Sequence, residues 1–237
     1  MKEKNKYHIY DVAVLIVFYC VFICLAVSFI AGIVYFAKGE LELAKVVYRG
    51  ILTALMSLPF LVKRIFKITF SRVVNIVYYV YVFLSGFVGV VLEWYKTVPG
   101  WDIVIHFLMG AVLAILSIYI LNYTIYKKDK SRHNLFFTFL FMIIFALAGC
   151  VLWEIGEFVC DLIFDMGYQR YVTYYGITLV GQKALMDTMI DLCFGLLGAI
   201  SGVLFVYILI QINGRILKTF NIKKLKAKEV EVEDIEE

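Results

Sequence analysis

Charge is scarce in this 237-residue chain: Asp, Glu, Lys and Arg make up 18% of it, against 63% hydrophobic residues. Mean hydropathy is +0.88. That shortage excludes an ordinary soluble domain, whose charged share is about 25%. It points to a polytopic membrane protein, and the length suits one helical bundle. Cysteine is sparse, and Cys20, Cys24, Cys150, Cys160 and Cys193 all lie inside apolar runs. They read as small buried or lipid-facing residues, not as a disulfide framework. Several hydrolytic signatures are missing: there is no HExxH zinc motif, no G-x-S-x-G elbow and no acidic-lipid-phosphatase type basic signature. No cleavable signal is evident, because the first apolar run is too long for an h-region and lacks a small-x-small exit. The net charge of +4 sits mostly in short loops. It reports topology, and no nucleic-acid partner is expected.

What is present is a series of apolar runs that reads as an all-α, six-helix transmembrane bundle over residues 1–212. The expected helices are Tyr10–Ala37, Val46–Val62, Val73–Glu93, Asp102–Tyr123, Leu135–Phe164 and Ala184–Ile212. A charged tail follows over 213–237, basic and then acidic, and reads as solvated. Seventeen Lys and Arg fall on the N-terminus, the 2–3 and 4–5 connections and the tail. Six (Lys38, Lys45, Arg49, Lys96, Arg170 and Lys183) fall on the other side. By the positive-inside rule both termini are cytoplasmic. Trp94, Trp101 and Trp153 then lie toward the outer face, as interface anchors do.

The stretch Gly149–Asp165 departs from this apolar pattern. Glu154, Glu157 and Asp161 occupy positions i, i+3 and i+7, one stripe of a helix. Insertion scales price each buried carboxylate at ~2.5–3.5 kcal/mol. Glu93, Asp102, His106, Asp187 and Asp191 fall at the same outer helix ends, with Asp102–His106 and Asp187–Asp191 spaced i, i+4. A shared site therefore competes with independent solvated helix ends. Gly86 and Gly89, and Gly195, Gly198 and Gly202, accompany these charges. They would let helices approach closely, for the site or for simple bundle packing.

Carboxylates this crowded cannot all ionise without cations or shared protons. One solution is a divalent metal: Mg²⁺, Mn²⁺ or Ca²⁺ for an oxygen-rich set, Zn²⁺ or Fe²⁺ with the single histidine. A second is a proton or cation relay in a transporter. A third is a hydrogen-bond network that holds helices together. His8 and His133 lie in polar segments, which leaves His106 as the site histidine. Arg49 and Arg170 share the outer side, where they would pair with the acids, hold a phosphate head group, or simply snorkel to the interface.

At these residues the chain resembles the YjdF-like family of small bacterial inner-membrane proteins. The resemblance is carried by Trp101-Asp102-x-x-x-His106-Phe107-x-x-Gly110, by Trp153-Glu154-x-x-Glu157, and by Gln182 followed by Asp187-Thr188-x-x-Asp191. Met189 and Leu192 stand where that family has Gln and Met. It covers about residues 70–205. More distantly, the His, Glu and Asp order resembles the VanZ-like membrane proteins, without their polar residue after Glu157 or their Asn after Asp191. The resemblance implies a polytopic protein of the bacterial cytoplasmic membrane and supplies no reaction.

The resulting expectation is an outward-facing, metal-dependent enzyme acting on a lipid or cell-envelope substrate. Asp102, His106, Glu154, Glu157, Asp187 and Asp191 would be ligands or acid/base groups, with His106, Glu157 and Asp191 on the metal. Glu93 and Asp161 would support them, and Arg49 and Arg170 would hold the substrate head group. The alternatives are a proton- or cation-coupled transporter and a structural or partner-binding membrane protein.

Overall fold

The computed structural model describes residues 2–41, 43–66, 70–121, 134–172 and 175–212. The charged tail, most of the 4–5 connection and His133 lie outside the described residues. The elements are α1 (Lys2–Ala37), α2 (Leu43–Leu55), α3 (Leu58–Phe66), α4 (Arg72–Val82), the π-helical stretch Phe83–Val91, α5 (Trp94–Thr97), α6 (Trp101–Leu121), α7 (Leu135–Phe164) and α8 (Gln182–Ile212). Five helices are long and apolar enough to cross a membrane, six if α2 and α3 form one bent span. The protein is therefore an all-α, multi-pass membrane protein whose surroundings are lipid.

Three elements differ from the sequence expectation. The second span is not one helix, because α2 and α3 meet at an angle of 52°. Pro59 has no N–H to return to the Leu55 carbonyl, and proline disfavours a helical residue before it. Ser57 turns its hydroxyl onto the Ala54 carbonyl at 2.6 Å, and its own carbonyl accepts from the Phe60 and Leu61 N–H groups. The third span widens into a π-helix after Val82, where small Ser85, Gly86 and Gly89 occur. It ends with Leu92 N–H donating to Phe87 O at 3.0 Å, five residues back. Glu93 then takes a left-handed conformation (φ 59°) and stands outside the helix it was expected to close. The loop expected after it contains one helical turn, α5.

Helix α6 is central and packs on α8, α7 and α4. Its crossing with α8 is made by glycines. A Cβ at Gly110 would strike the Gly195 carbonyl, one at Gly198 the Phe107 carbonyl, and one at Gly202 the Ala111 carbonyl. Cys150 of α7 packs its Sγ against Gly195. All five cysteines are free thiols. Toward the opposite end from Asp102, the same helices close on an apolar core of Ala114, Ile118, Met142, Ala146, Ala199 and Val206. A second core, with Leu25, Leu52, Met56 and Tyr79, joins α1, α2 and α4. With 30 residues, α7 is ~45 Å long, more than the ~30 Å hydrocarbon layer requires. Its acidic last third therefore falls toward one membrane boundary. There it inverts the soluble pattern: Glu154 and Asp161 are buried while Leu152, Leu162 and Ile163 are exposed.

The connection after α7 is built on Asp161. Its carboxylate accepts the Tyr168 N–H at 2.8 Å and the Gln169 N–H at 2.9 Å. Gly167 turns at φ 67°, and Arg170 follows in the left-handed region at φ 46°, uncommon for a residue with a side chain. A bridge between Val172 and Thr178, with Leu179 N–H bonded to Tyr171 O at 2.8 Å, returns the chain toward α8.

Gly198→Ala is expected to lower stability by about 1–3 kcal/mol, since the obstacle is backbone and cannot turn aside. Gly156→Ala, with no atom near its added methyl, should leave the unfolding midpoint in detergent unchanged or raise it slightly, since alanine favours a helix interior over glycine. Asp161→Asn removes one acceptor from a pair of charge-assisted bonds. Trypsin should then cleave after Arg170 faster than in the parent protein, with helix content preserved.

Candidate functional site

Asp102 and His106 lie one turn apart on α6, and the α6–α8 crossing turns that face toward α8 and α7. His106 is 2% exposed. Its Nε2 lies 3.6 Å from Asp102 Oδ1, and its Nδ1 lies 3.5 Å from Glu154 Oε1. Asp191 is buried equally deeply and Glu154 nearly so. The ligand atoms form two groups, in each of which all atoms lie within 4.8 Å: His106 with Glu154 and Glu157, and His106 with Asp102 and Asp191. One imidazole thus stands between two pairs of carboxylates.

These groups are poorly satisfied by protein. His106 Nδ1, both Glu154 oxygens and Asp191 Oδ2 are buried without a hydrogen-bond partner. The Thr188 hydroxyl oxygen accepts from Gln169 Nε2 at 3.1 Å, which leaves its hydrogen to turn toward Glu154 beside it. An unpartnered buried polar atom costs roughly 1–3 kcal/mol. Coordination bonds of ~2.0–2.6 Å would span the observed spread after small side-chain movements. The donor set, one imidazole with carboxylates, fits Zn²⁺ or Fe²⁺ as well as harder ions.

The rest of the site orients these groups. Trp153 Nε1 donates to Glu157 Oε1 at 2.8 Å, so this tryptophan serves the site one turn from its carboxylate. Arg170 reaches down from the loop. Its Nη2 lies 3.0 Å from Asp102 Oδ2 and its Nη1 3.4 Å from Asp187 Oδ1. A single guanidinium therefore ties α6 to α8 through two carboxylates.

Beside the cluster lies a cavity of about 250 Å³. Glu157 and Asp102 form part of its wall, and Tyr48, Arg49, Tyr95, Tyr168 and Arg170 form much of the rest. Tyr48 and Tyr168 face each other with ring centroids 5.6 Å apart. Burial, then neighbouring charges including Glu157, pushes the Tyr95 and Tyr168 phenols above the ordinary tyrosine range. Both remain neutral hydroxyl groups.

The structure brings together Asp102, His106, Glu154, Glu157, Asp187 and Asp191. The trio His106, Glu157 and Asp191 divides between the two groups around the ring. Asp161 instead holds the loop. Glu93 stands at the cavity rim, 59% exposed, in an ion pair with Lys96 at 3.2 Å. Arg49 donates from Nη1 to Ser28 O at 3.1 Å and lines the cavity with Nε unpartnered. Sequence reasoning missed Trp153 as a site residue and the tyrosines altogether. The signal was the count of 17 Tyr, an amphipathic side chain rich beyond the needs of an apolar bundle.

Residues 14–211 match the family model described as "Predicted membrane protein (DUF2238)". A protein of Thermotoga maritima, described as an uncharacterized protein, is 32% identical over 126 residues, 53% of this chain and 57% of the relative. The chain thus spans little more than half of that relative's length. No solved structure matches. With nearly the whole membrane bundle inside the matched region, the chain belongs to the DUF2238 family of membrane proteins.

Proposed function

We propose that His106 Nδ1, Glu154 and Glu157 hold a divalent cation, and that the protein is a membrane enzyme acting on a lipid or cell-envelope substrate. The observation that carries this reading is the convergence of buried, unpartnered ligand atoms on one another. Such a cation would activate water or polarise a phosphate or ester oxygen. Asp102 would accept the Nε2–H of His106 and fix the ring, the usual carboxylate support of a ligating histidine. Arg170 would hold Asp102 and Asp187 in place. Asp191, the buried carboxylate across the ring, would take or give a proton.

The site lies at the bundle end that carries Lys38, Lys45, Lys96, Arg170 and Lys183, the end poorer in basic residues. The positive-inside rule makes this end extracytoplasmic and both termini cytoplasmic. The resemblance to YjdF-like proteins supports a bacterial cytoplasmic membrane. Transport would require polar groups or broken helices toward the other end. The span of α2 and α3 is broken, but α6, α7 and α8, which carry the cluster, close on Ala114, Ile118, Met142 and Val206, and this apolar packing favours an enzyme.

Thermal unfolding in detergent, after chelation and then with Mg²⁺, Mn²⁺, Ca²⁺ or Zn²⁺ added, tests the metal. One ion should stabilise the protein by ~2.7 kcal/mol at a hundredfold excess over its dissociation constant. Glu154→Gln or Glu157→Gln should remove that gain. A midpoint indifferent to every ion, with none in the purified protein, overturns the reading. For topology, a cysteine placed at Gly176 in a background without native cysteines should react with an impermeant maleimide on intact cells. One placed at Arg132 should react only after permeabilisation.

A further inference from the structure

We propose that the cavity beside the cluster is a sugar-binding pocket, so that the substrate presents a sugar ring to the site. The inference rests on the reading of the cluster as an enzyme centre and names its substrate class. Three separate elements each give the wall a tyrosine: Tyr48 from α2, Tyr95 from α5 and Tyr168 from the α7–α8 connection. The Tyr48 and Tyr168 rings are tilted by 43° rather than stacked, so they do not cover each other's faces. A Cβ at Gly89 would strike the Tyr95 ring, so this glycine of the π-helical stretch makes room for the third. The C–H faces of a sugar ring carry partial positive charge and pack well on the electron-rich face of an aromatic ring.

The charges in the wall are engaged within the protein. Glu93 pairs with Lys96, and Arg170 is divided between Asp102 and Asp187. Lys45 has a partner as well. Glu157 accepts from Trp153 and belongs to the proposed cation group. An ionic ligand would compete with these pairs, whereas a neutral one leaves them intact. The ligand must still answer two kinds of polar group. Arg49 Nε is buried without a partner and calls for an acceptor, while Asp102 and Glu157 present carboxylate oxygens in the same wall. A hydroxyl group donates and accepts at once, so the hydroxyls around one sugar ring serve both. At about 250 Å³, below the ~300–1,000 Å³ of drug-sized sites, the space suits a single ring rather than a chain of them. The Glu93 and Lys96 side chains at the rim are largely exposed, so the ring would enter from the aqueous boundary. Glu157 in the wall places it next to the cation ligands.

The experiment titrates the purified full chain by calorimetry, with and without the stabilising metal. The detergent is a polyoxyethylene ether, because maltoside detergents carry sugar rings themselves. The probes are hexyl β-glucoside, hexyl β-galactoside, hexyl N-acetyl-β-glucosaminide and the corresponding free sugars. Triethylene glycol monohexyl ether serves as the amphiphile without a ring. At least one glycoside should bind, and the ringless ether should bind roughly tenfold more weakly or less. Tyr48→Leu and Tyr168→Leu keep an apolar side chain but lose the aromatic face. Each should weaken glycoside binding about fivefold or more while metal stabilisation persists. The unfolding midpoint of each variant is measured first, and whichever folds carries the test; if neither does, Tyr168→Phe, which removes only a hydroxyl, takes their place. A free sugar that binds as tightly as its glycoside identifies a free saccharide as the source; weaker binding identifies a sugar-bearing lipid. No glycoside binding beyond that of the ringless ether, or unchanged affinity in the folded variants, overturns the pocket and leaves the metal reading standing. Glycoside binding by a parent protein that no metal stabilises would strike the metal reading instead.

Discussion

The glycine contact between α6 and α8 is the constraint on which the site depends. Lipid supplies no hydrophobic drive for two helices to meet, so they associate through close packing. Gly110, Gly195 and Gly198 remove the side chains that would hold the backbones apart. The Phe107 carbonyl then occupies the space a Cβ on Gly198 would fill. At that separation the face bearing Asp102 and His106 and the face bearing Asp187 and Asp191 share a single interior. Helix α7 closes the third side and delivers Glu154 to His106 Nδ1.

Carboxylate desolvation is distributed unevenly over this interior. Asp102 and Asp187 are matched by Arg170, Asp161 by two backbone N–H groups, and Glu157 by an indole. Glu154 and Asp191 retain unsatisfied atoms. Among the described carboxylates, the unmet demand is thus concentrated around the imidazole, in Glu154 and Asp191. A network whose purpose was to hold helices together would be expected to satisfy its innermost members first. Here the order is reversed, and the proposed function rests on that contrast.

Much of this was legible from residue spacing. The i, i+4 relation of Asp102 to His106, and the stripe through Glu154 and Asp161, place these groups on buried faces because a straight α-helix keeps its phase. Phase is also why Glu93 was misplaced. The π-helical stretch has a different number of residues per turn, so counting from Gly86 and Gly89 loses the register before residue 93. The bend at Ser57 was concealed because Pro59 also reads as a helix end. The tyrosine wall was illegible for another reason. Tyr48, Tyr95 and Tyr168 come from three separate elements, and no local period links them. Trp153 was read from the topology as an interface anchor, a reading that does not reveal that its indole turns along the helix to Glu157.

His106 stands between two carboxylate groups but owns few protons to share. A neutral imidazole carries one N–H and one lone pair. If Nδ1 gives its lone pair to a cation beside Glu154, Nε2 must keep the hydrogen and point it at Asp102. If Nε2 coordinates instead, the hydrogen moves to Nδ1 and faces Glu154. The two sides of the ring therefore compete for one electron pair. Occupation of either commits the tautomer, and with it the direction in which the ring presents its remaining hydrogen.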